Sequence, residues 1–237
     1  MTTTLWSYPS QHYQSLDGAS IGRGTQGDPL YTGATPSWVI WQVLTRFTRE
    51  GERVLDPMCG SGTTLDVCRD LGRRGRGFDI APSRDDIEPA DARSLPIEDE
   101  SADCVFIDPP YSTHVRYSGH ERCIGELDAM PTSPDAGAGY YEAMHQVIGE
   151  CARVLRPGRH LALYVSDSFK KSKRGVAFAP IGFELFAIMR ERLEPVDIVC
   201  VERGNRKLKR GHWNRAAEEG GFMMRGFNYL FLMRRPV

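Results

Sequence analysis

The chain has 237 residues, of which 41% are hydrophobic, 26% charged and 10% aromatic, with a mean hydropathy of -0.40. One core at this length can bury roughly 70 to 75% of the unfolded chain's surface, so folding needs neither disulfide nor metal, and the composition excludes disordered and fibrous classes. The net charge of -1 hides an uneven distribution: residues 1–169 carry 15 Lys+Arg against 24 Asp+Glu, a net of -9, while residues 170–237 carry 15 against 7, a net of +8.

Residues 1–36, rich in Ser, Thr, Gly, Gln and Tyr without periodicity, read as an irregular arm. Trp38, Val39, Trp41, Val43, Leu44 and Phe47 fall on helical spacing, with Ser37 as cap and Gly51 as stop. Residues 53–56 form a short strand, and the turn PMCGSG leads into a helix over about 63–71. A second strand covers 76–80; residues 81–99 hold three prolines and no clear helix. The apolar strand 102–107 ends directly in DPPY, and 112–138 reads as a loop or insertion. A helix over roughly 140–155, a strand at 160–165, a KKSKR loop and a helix over 181–193 come next. Two last strands, near 196–202 and 229–234, flank a basic segment from Arg203 to Arg225. Strands alternating with helices argue a mainly parallel sheet covered on both faces.

No apolar run reaches the roughly 18 to 20 residues of a membrane span. The start of the chain lacks a basic segment followed by an apolar one, so a cytoplasmic protein is expected. The six cysteines form no CxxC pair and read as reduced structural thiols; no metal site is expected.

In a doubly wound sheet, ligands bind beyond the carboxyl ends of the strands, and three strand ends carry chemistry here. At the first, Val54–Thr64, Gly60 and Gly62 allow close approach of a ligand to the backbone, and the helix after them offers unpaired N–H groups. A tight turn alone would also explain the glycines. Asp56 would repel a pyrophosphate but suits an ammonium group. At the second, Asp79 lies 23 residues beyond Asp56, where a carboxylate can accept hydrogen bonds from ribose hydroxyls, and Asp91 could meet an adenine ring. Together these describe a pocket for an adenosine bearing a cationic amino-acid end. At the third, Asp108 and the Pro109 carbonyl can accept the hydrogens of an exocyclic amine while Tyr111 stacks on the ring that bears it.

VLDPMCGSGTT followed by DPPY resembles the S-adenosylmethionine-dependent amino methyltransferases that modify adenine N6 or cytosine N4 in DNA. YTGATPSWVIWQVL is similar to that family's amino-terminal motif, which closes over the methionine part of the cofactor. The resemblance covers about residues 31–167. It implies an α/β fold: a doubly wound, mostly parallel seven-stranded Rossmann-like methyltransferase sheet with an antiparallel edge hairpin strand, in one domain over 1–237. It implies S-adenosylmethionine as cofactor, held by Thr35, Pro36, Asp56, Pro57, Met58, Gly60, Gly62 and Thr63 towards its methionine end. Asp79 would meet its ribose and Asp91 with Ala92 its adenine, with Ile80 a further cofactor contact. Asp108, Pro109, Pro110 and Tyr111 would hold the target base and support direct transfer without a cysteine adduct.

A base inside a duplex cannot reach such a pocket and must flip out. Asp at the head of the motif leans towards adenine, since cytosine enzymes often carry Ser there. Lys170, Lys171, Lys173, Arg206, Lys207, Lys209, Arg210 and Trp213 are the candidate nucleic-acid contacts, with 112–138 and 203–225 as recognition insertions. The family pattern lacks a recognition domain of normal size here, which leaves a homodimer or a specificity partner open. The competing readings are guanine N2 methylation of transfer or ribosomal RNA, methylation of a glutamine side chain in protein, and a catalytically silent cofactor- or nucleic-acid-binding module.

Overall fold

The computed structural model describes residues 2–8, 12–13, 26–28, 30–31, 33–111, 117–130, 138–172, 175–202 and 211–237. In chain order the elements are β1 (Leu5–Trp6), α1 (Ser37–Phe47), β2 (Arg53–Asp56), α2 (Thr63–Asp70), β3 (Arg74–Asp79), β4 (Ile87–Pro89) and β5 (Ala102–Ile107). Then come α3 (Ala138–Val154), β6 (Leu155–Val165), β7 (Ser168–Ser172), β8 (Gly175–Ala179), α4 (Ile181–Met189), β9 (Glu194–Glu202), α5 (Gly211–Gly220) and β10 (Phe227–Arg234). Eight strands form one sheet in the order β1-β9-β10-β6-β5-β2-β3-β4, and β7 pairs with β8 in a separate hairpin. None of the helices among the described residues is long and apolar enough to cross a membrane.

Side chains along the central strands alternate between the two faces of the sheet, both of which are covered. On β5, Cys104 and Phe106 pack with Val39, Ile40, Val43 and Leu44 of α1, whereas Val105 and Ile107 pack with Met144, Val147 and Ile148 of α3. Gly75 and Gly77 on β3 let α2 and its preceding turn lie close to the sheet. A Cβ at Gly75 would stand 2.9 Å from the Cys68 Cβ, and one at Gly77 2.5 Å from the Cys59 Sγ.

Several expectations change. The seven expected strands gain an eighth from the arm: Leu5 and Trp6 pair in parallel with Cys200 and Val201, and Trp6 is buried in the core on the α1 side. The antiparallel strand is not at the edge, because β10 runs between β6 and β9 and pairs antiparallel with both. The helix-free stretch 81–99 contains β4, which pairs in parallel with β3, and Arg153 anchors its far end. That guanidinium donates to the Ile97 carbonyl at 2.9 Å and to Asp99 at 2.7 Å. Lys170 and Lys171 sit on β7 rather than in a loop, and residues 211–220 of the basic segment form α5. Ser37 does not cap α1; its Oγ accepts the Tyr13 N–H at 3.2 Å.

Asp56, the last residue of β2, is buried. Its carboxylate accepts hydrogen bonds from the Thr64 hydroxyl at 2.5 Å and the Met58 N–H at 3.1 Å. Burial outweighs both donors and pushes the carboxyl from 3.8 up to about 7. The unfolded chain therefore releases this proton first. The group costs stability as pH rises through about 4, and the cost levels off above about 7. The stability of Asp56→Asn relative to the parent chain should therefore rise between pH 4 and pH 7.5, by on the order of 3 kcal/mol. Urea unfolding at several pH values checks this, and parallel curves for the two proteins contradict it.

Candidate active site

The glycine turn after β2 is held from several sides. The Cys59 N–H donates to the Phe78 carbonyl at 2.8 Å, and the Gly60 N–H donates to the Asp79 carboxylate at 2.9 Å. Gly60 and Gly62 have φ of 50° and 78°, the left-handed region that favours glycine. Gly62 also has no room for a side chain, since a Cβ there would lie 2.5 Å from the Arg84 guanidinium. Arg84 donates to the Ser61 carbonyl at 3.3 Å and to both oxygens of Asp66 at 2.9 Å, clamping the turn to the first turn of α2. Burial alone would raise the Asp66 carboxyl; Arg84 and the Gly27 N–H overcome it and hold the group below its usual range.

The segment before α1 crosses this turn. The Gly27 N–H donates to Asp66 at 2.8 Å, and the Asp28 N–H to the Ser61 carbonyl at 2.9 Å. The Tyr31 ring lies over Gly60, where a Cβ would come within 3.1 Å of its hydroxyl oxygen. Burial, reinforced by the carboxylates of Asp79 and Asp108, pushes the Tyr31 phenol up to about 12, so it remains a neutral hydroxyl group. Four residues further on, the Thr35 hydroxyl donates to Asp108 Oδ2 at 2.7 Å.

β5 pairs in parallel with β2, Val54 opposite Cys104 and Leu55 opposite Val105, so DPPY emerges beside the glycine turn. Pro109 is buried; Asp108, Pro110 and Tyr111 are half-buried. The Asn228 amide on β10 reaches the Tyr111 hydroxyl at 3.5 Å. One cleft of about 1100 Å³ is lined by Gly60, Met58, Pro57, Asp79, Ile80, Asp91, Ala92, Thr35 and all four residues of DPPY. Asp79 accepts one backbone N–H on each oxygen, from Gly60 and Ala81, both at 2.9 Å. Asp91 is paired with Arg93 at 2.7 Å, which holds its carboxyl below the ordinary value.

Four anticipated cofactor contacts are not on the cleft wall. Asp56 and Thr63 are buried behind the turn, with Thr63 bonded to the Ser61 hydroxyl at 2.8 Å; Gly62 faces Arg84, and Pro36 precedes α1. They shape the wall from behind, because a short turn that presents one face to a ligand must turn the other to its own support.

Of the anticipated nucleic-acid contacts, Lys173, Arg206, Lys207, Lys209 and Arg210 lie outside the described residues, and Trp213 falls in α5. Part of the 112–138 segment packs inward, with Ile124, Ala129 and Met130 in the core. Sequence reasoning missed Tyr31, Tyr117, Arg122 and Asp167, and an apolar wall of Phe169, Phe222 and Met224. Phe169 and Phe222 have ring centroids 4.6 Å apart, and Arg225 lies over the Phe178 ring at 4.9 Å, tying α5's exit to the β7–β8 hairpin. Tyr31 belongs to the amino-terminal motif; the others carry no local signal. Cys59 also reaches the cleft, but burial first, then the carboxylates of Asp56 and Asp79, raise its thiol well above the ordinary value. It is no ready nucleophile.

Residues 2–87 match the family model described as DNA methylase. The Type II methyltransferase M2.DpnII of Streptococcus pneumoniae is 30% identical over 97 residues, covering 32% of this chain and 36% of that protein. The chain thus spans about a third of the length of this curated relative. In fold, the chain is similar to TrmN from Thermus thermophilus, with a TM-score of 0.54, 17% identity, and 86% of this chain and 50% of that one covered. It is also similar to a SAM-dependent methyltransferase from Methanosarcina mazei, with a TM-score of 0.50, 15% identity and coverage of 82% and 97%. The architecture is the Rossmann-like methyltransferase fold. The family-model match and the curated relative each cover about a third of this chain.

Proposed function

We propose that this chain transfers the methyl group of S-adenosylmethionine to the exocyclic amine of a base flipped out of DNA, adenine N6 ahead of cytosine N4. One observation carries the reading: Gly60 of the glycine turn and Tyr111 of DPPY line the same cleft. Donor and acceptor sites are thus adjacent, as transfer between two bound ligands requires.

The cleft's residues suit S-adenosylmethionine. Asp79 offers a carboxylate to ribose hydroxyls, with lone pairs left beyond the two N–H groups it accepts. Asp91 and Ala92 would meet its adenine ring and Pro57, Met58 and the Gly60 backbone its methionine end, with Ile80 beside them on the cleft wall. Asp56, Gly62, Thr63 and Pro36 hold that wall in place. When bound, the cofactor supplies an electrophilic methyl group on a sulfonium.

On the acceptor side, Asp108 and the Pro109 carbonyl accept the two amine hydrogens. That draws a nitrogen lone pair, otherwise conjugated with the ring, towards the tetrahedral geometry of attack. Tyr111 stacks on the base and offsets part of the few kcal/mol of unstacking. Asp108 then takes the proton released when the new N–C bond forms. The whole chain acts as one catalytic domain in the cytoplasm. The β7–β8 hairpin and residues 203–225 replace a recognition domain, and Lys170, Lys171, Lys173, Arg206, Lys207, Lys209, Arg210 and Trp213 contact the strand. A second copy or a specificity subunit supplies what sequence recognition these lack, and a restriction–modification pair is the setting.

Incubation with labelled S-adenosylmethionine and separate DNA and RNA substrates, with identification of the modified nucleoside by mass spectrometry, should yield N6-methyladenine in DNA. Label in RNA, in protein or in nothing overturns the reading. Asp108→Ala should lower transfer by about 10²- to 10³-fold while cofactor binding persists; equal loss of both would remove Asp108 from the base site. Replacing Arg206, Lys207, Lys209 and Arg210 by Gln should weaken DNA binding and flatten its salt dependence by about three to four units of slope. An unchanged slope excludes that segment from the interface.

A further inference from the structure

The family resemblance assigns Thr35 to the cofactor's methionine end; the geometry points to a different duty. We infer that Thr35 is a positioning residue for Asp108, orienting the carboxylate that accepts the target amine. The inference rests on the methyl-transfer reading above and deepens it on the acceptor side.

The Thr35 hydroxyl donates to Asp108 Oδ2 at 2.7 Å, a short bond to a carboxylate that joins residues 73 positions apart. Asp108 directly follows the last residue of β5 and is half-buried. A donor on one oxygen sets the plane of the carboxylate and so the direction in which the other oxygen points. An amine nitrogen being pulled out of conjugation needs its acceptor in a narrow range of directions, because hydrogen bonds weaken steeply with misalignment.

Thr35 is itself well anchored. Pro36 follows it and restricts its backbone to extended conformations, and α1 begins at Ser37, with Val39, Ile40, Val43 and Leu44 fully buried. On its other side the chain is tied to the glycine turn through the Asp28 N–H and covered there by Tyr31. The hydroxyl is therefore presented to Asp108 from a rigid element, as a positioning group requires.

Three variants separate this role from cofactor binding. Thr35→Val keeps the shape and removes the hydroxyl, Thr35→Ser keeps the hydroxyl, and Thr35→Ala replaces Thr35→Val if the latter does not fold. The readouts are kcat and KM for methyl transfer to DNA, and the Kd of S-adenosylhomocysteine by calorimetry. Thr35→Val should lower kcat by about ten- to a hundredfold, the range of a hydrogen bond to a charged group, with the Kd within about threefold of the parent. Thr35→Ser should restore kcat to within about threefold. An unchanged kcat in Thr35→Val, or a Kd that weakens as much as kcat falls, overturns the assignment and leaves the methyl-transfer reading standing. Failure of the parent protein to methylate any nucleic acid overturns both.

Discussion

Everything in this molecule turns on the parallel pairing of β2 with β5. Neighbouring strands in a sheet stand about 4.8 Å apart. Two parallel neighbours therefore end side by side, and the segment leaving one strand meets the segment leaving the other. Here one strand ends in the glycine turn and the other in DPPY. No long-range device is needed to bring the two chemistries together; the register of Leu55 against Val105 does it. The pairing in turn depends on the apolar content of β5, whose six residues are all buried, with helices α1 and α3 packed on opposite faces.

A sheet edge alone would leave the turn loose, and the structure spends much of its polar chemistry on stiffening it. Arg84 reaches back from beyond β3 to the turn's carbonyls and to Asp66, and Asp79 takes the Gly60 N–H. The arm adds backbone bonds from Gly27 and Asp28. Each of these contributes modestly alone, yet they share one rigid turn, so their effects are coupled rather than additive. The same residues explain why some motif positions face away from the cleft. Gly62 gives space to Arg84, and Asp56 bonds Thr64 at the start of α2. A motif of this kind encodes both a ligand surface and its scaffold, and spacing alone cannot say which position does which.

The elements around the site were legible because their signals are local. α1, the strands at 53–56 and 102–107 and the helix after the glycines announce themselves by periodicity, apolar runs and turn residues, and each is found close to its expected bounds. The features that escaped depend on partners distant in sequence. Leu5–Trp6 and Ile87–Pro89 are two and three residues long, too short for any period, and exist only because an edge strand offers them hydrogen bonds. The antiparallel course of β10 between β6 and β9 is a matter of topology, invisible to composition. In the KKSKR region, charge suggested a loop, yet Phe169 and Phe178 stand opposite each other in a two-stranded hairpin. Cross-strand backbone pairing there overrides the low strand propensity of lysine.

The uneven charge of the chain acquires meaning from the cleft. Asp79, Asp91, Asp108 and Asp167 line it, against Arg122 and Arg225, and Asp91 is already neutralised by Arg93. Such a cavity favours a ligand bearing positive charge and disfavours phosphate, whose approach to carboxylates in a partly desolvated space is costly. On the proposed reading a nucleic acid enters by its uncharged part, a single base, while its backbone stays at the rim. The first 169 residues carry a net charge of -9 and residues 170–237 a net of +8, so on that reading attraction to the backbone comes from the second part. Those residues supply the β7–β8 hairpin and the Phe222–Arg225 stretch, and Phe169, Phe222, Met224 and Arg225 share the cleft with DPPY. On the proposed reading, sign of charge sorts the two substrates between the depth of the cleft and its mouth, independently of any base-specific contact.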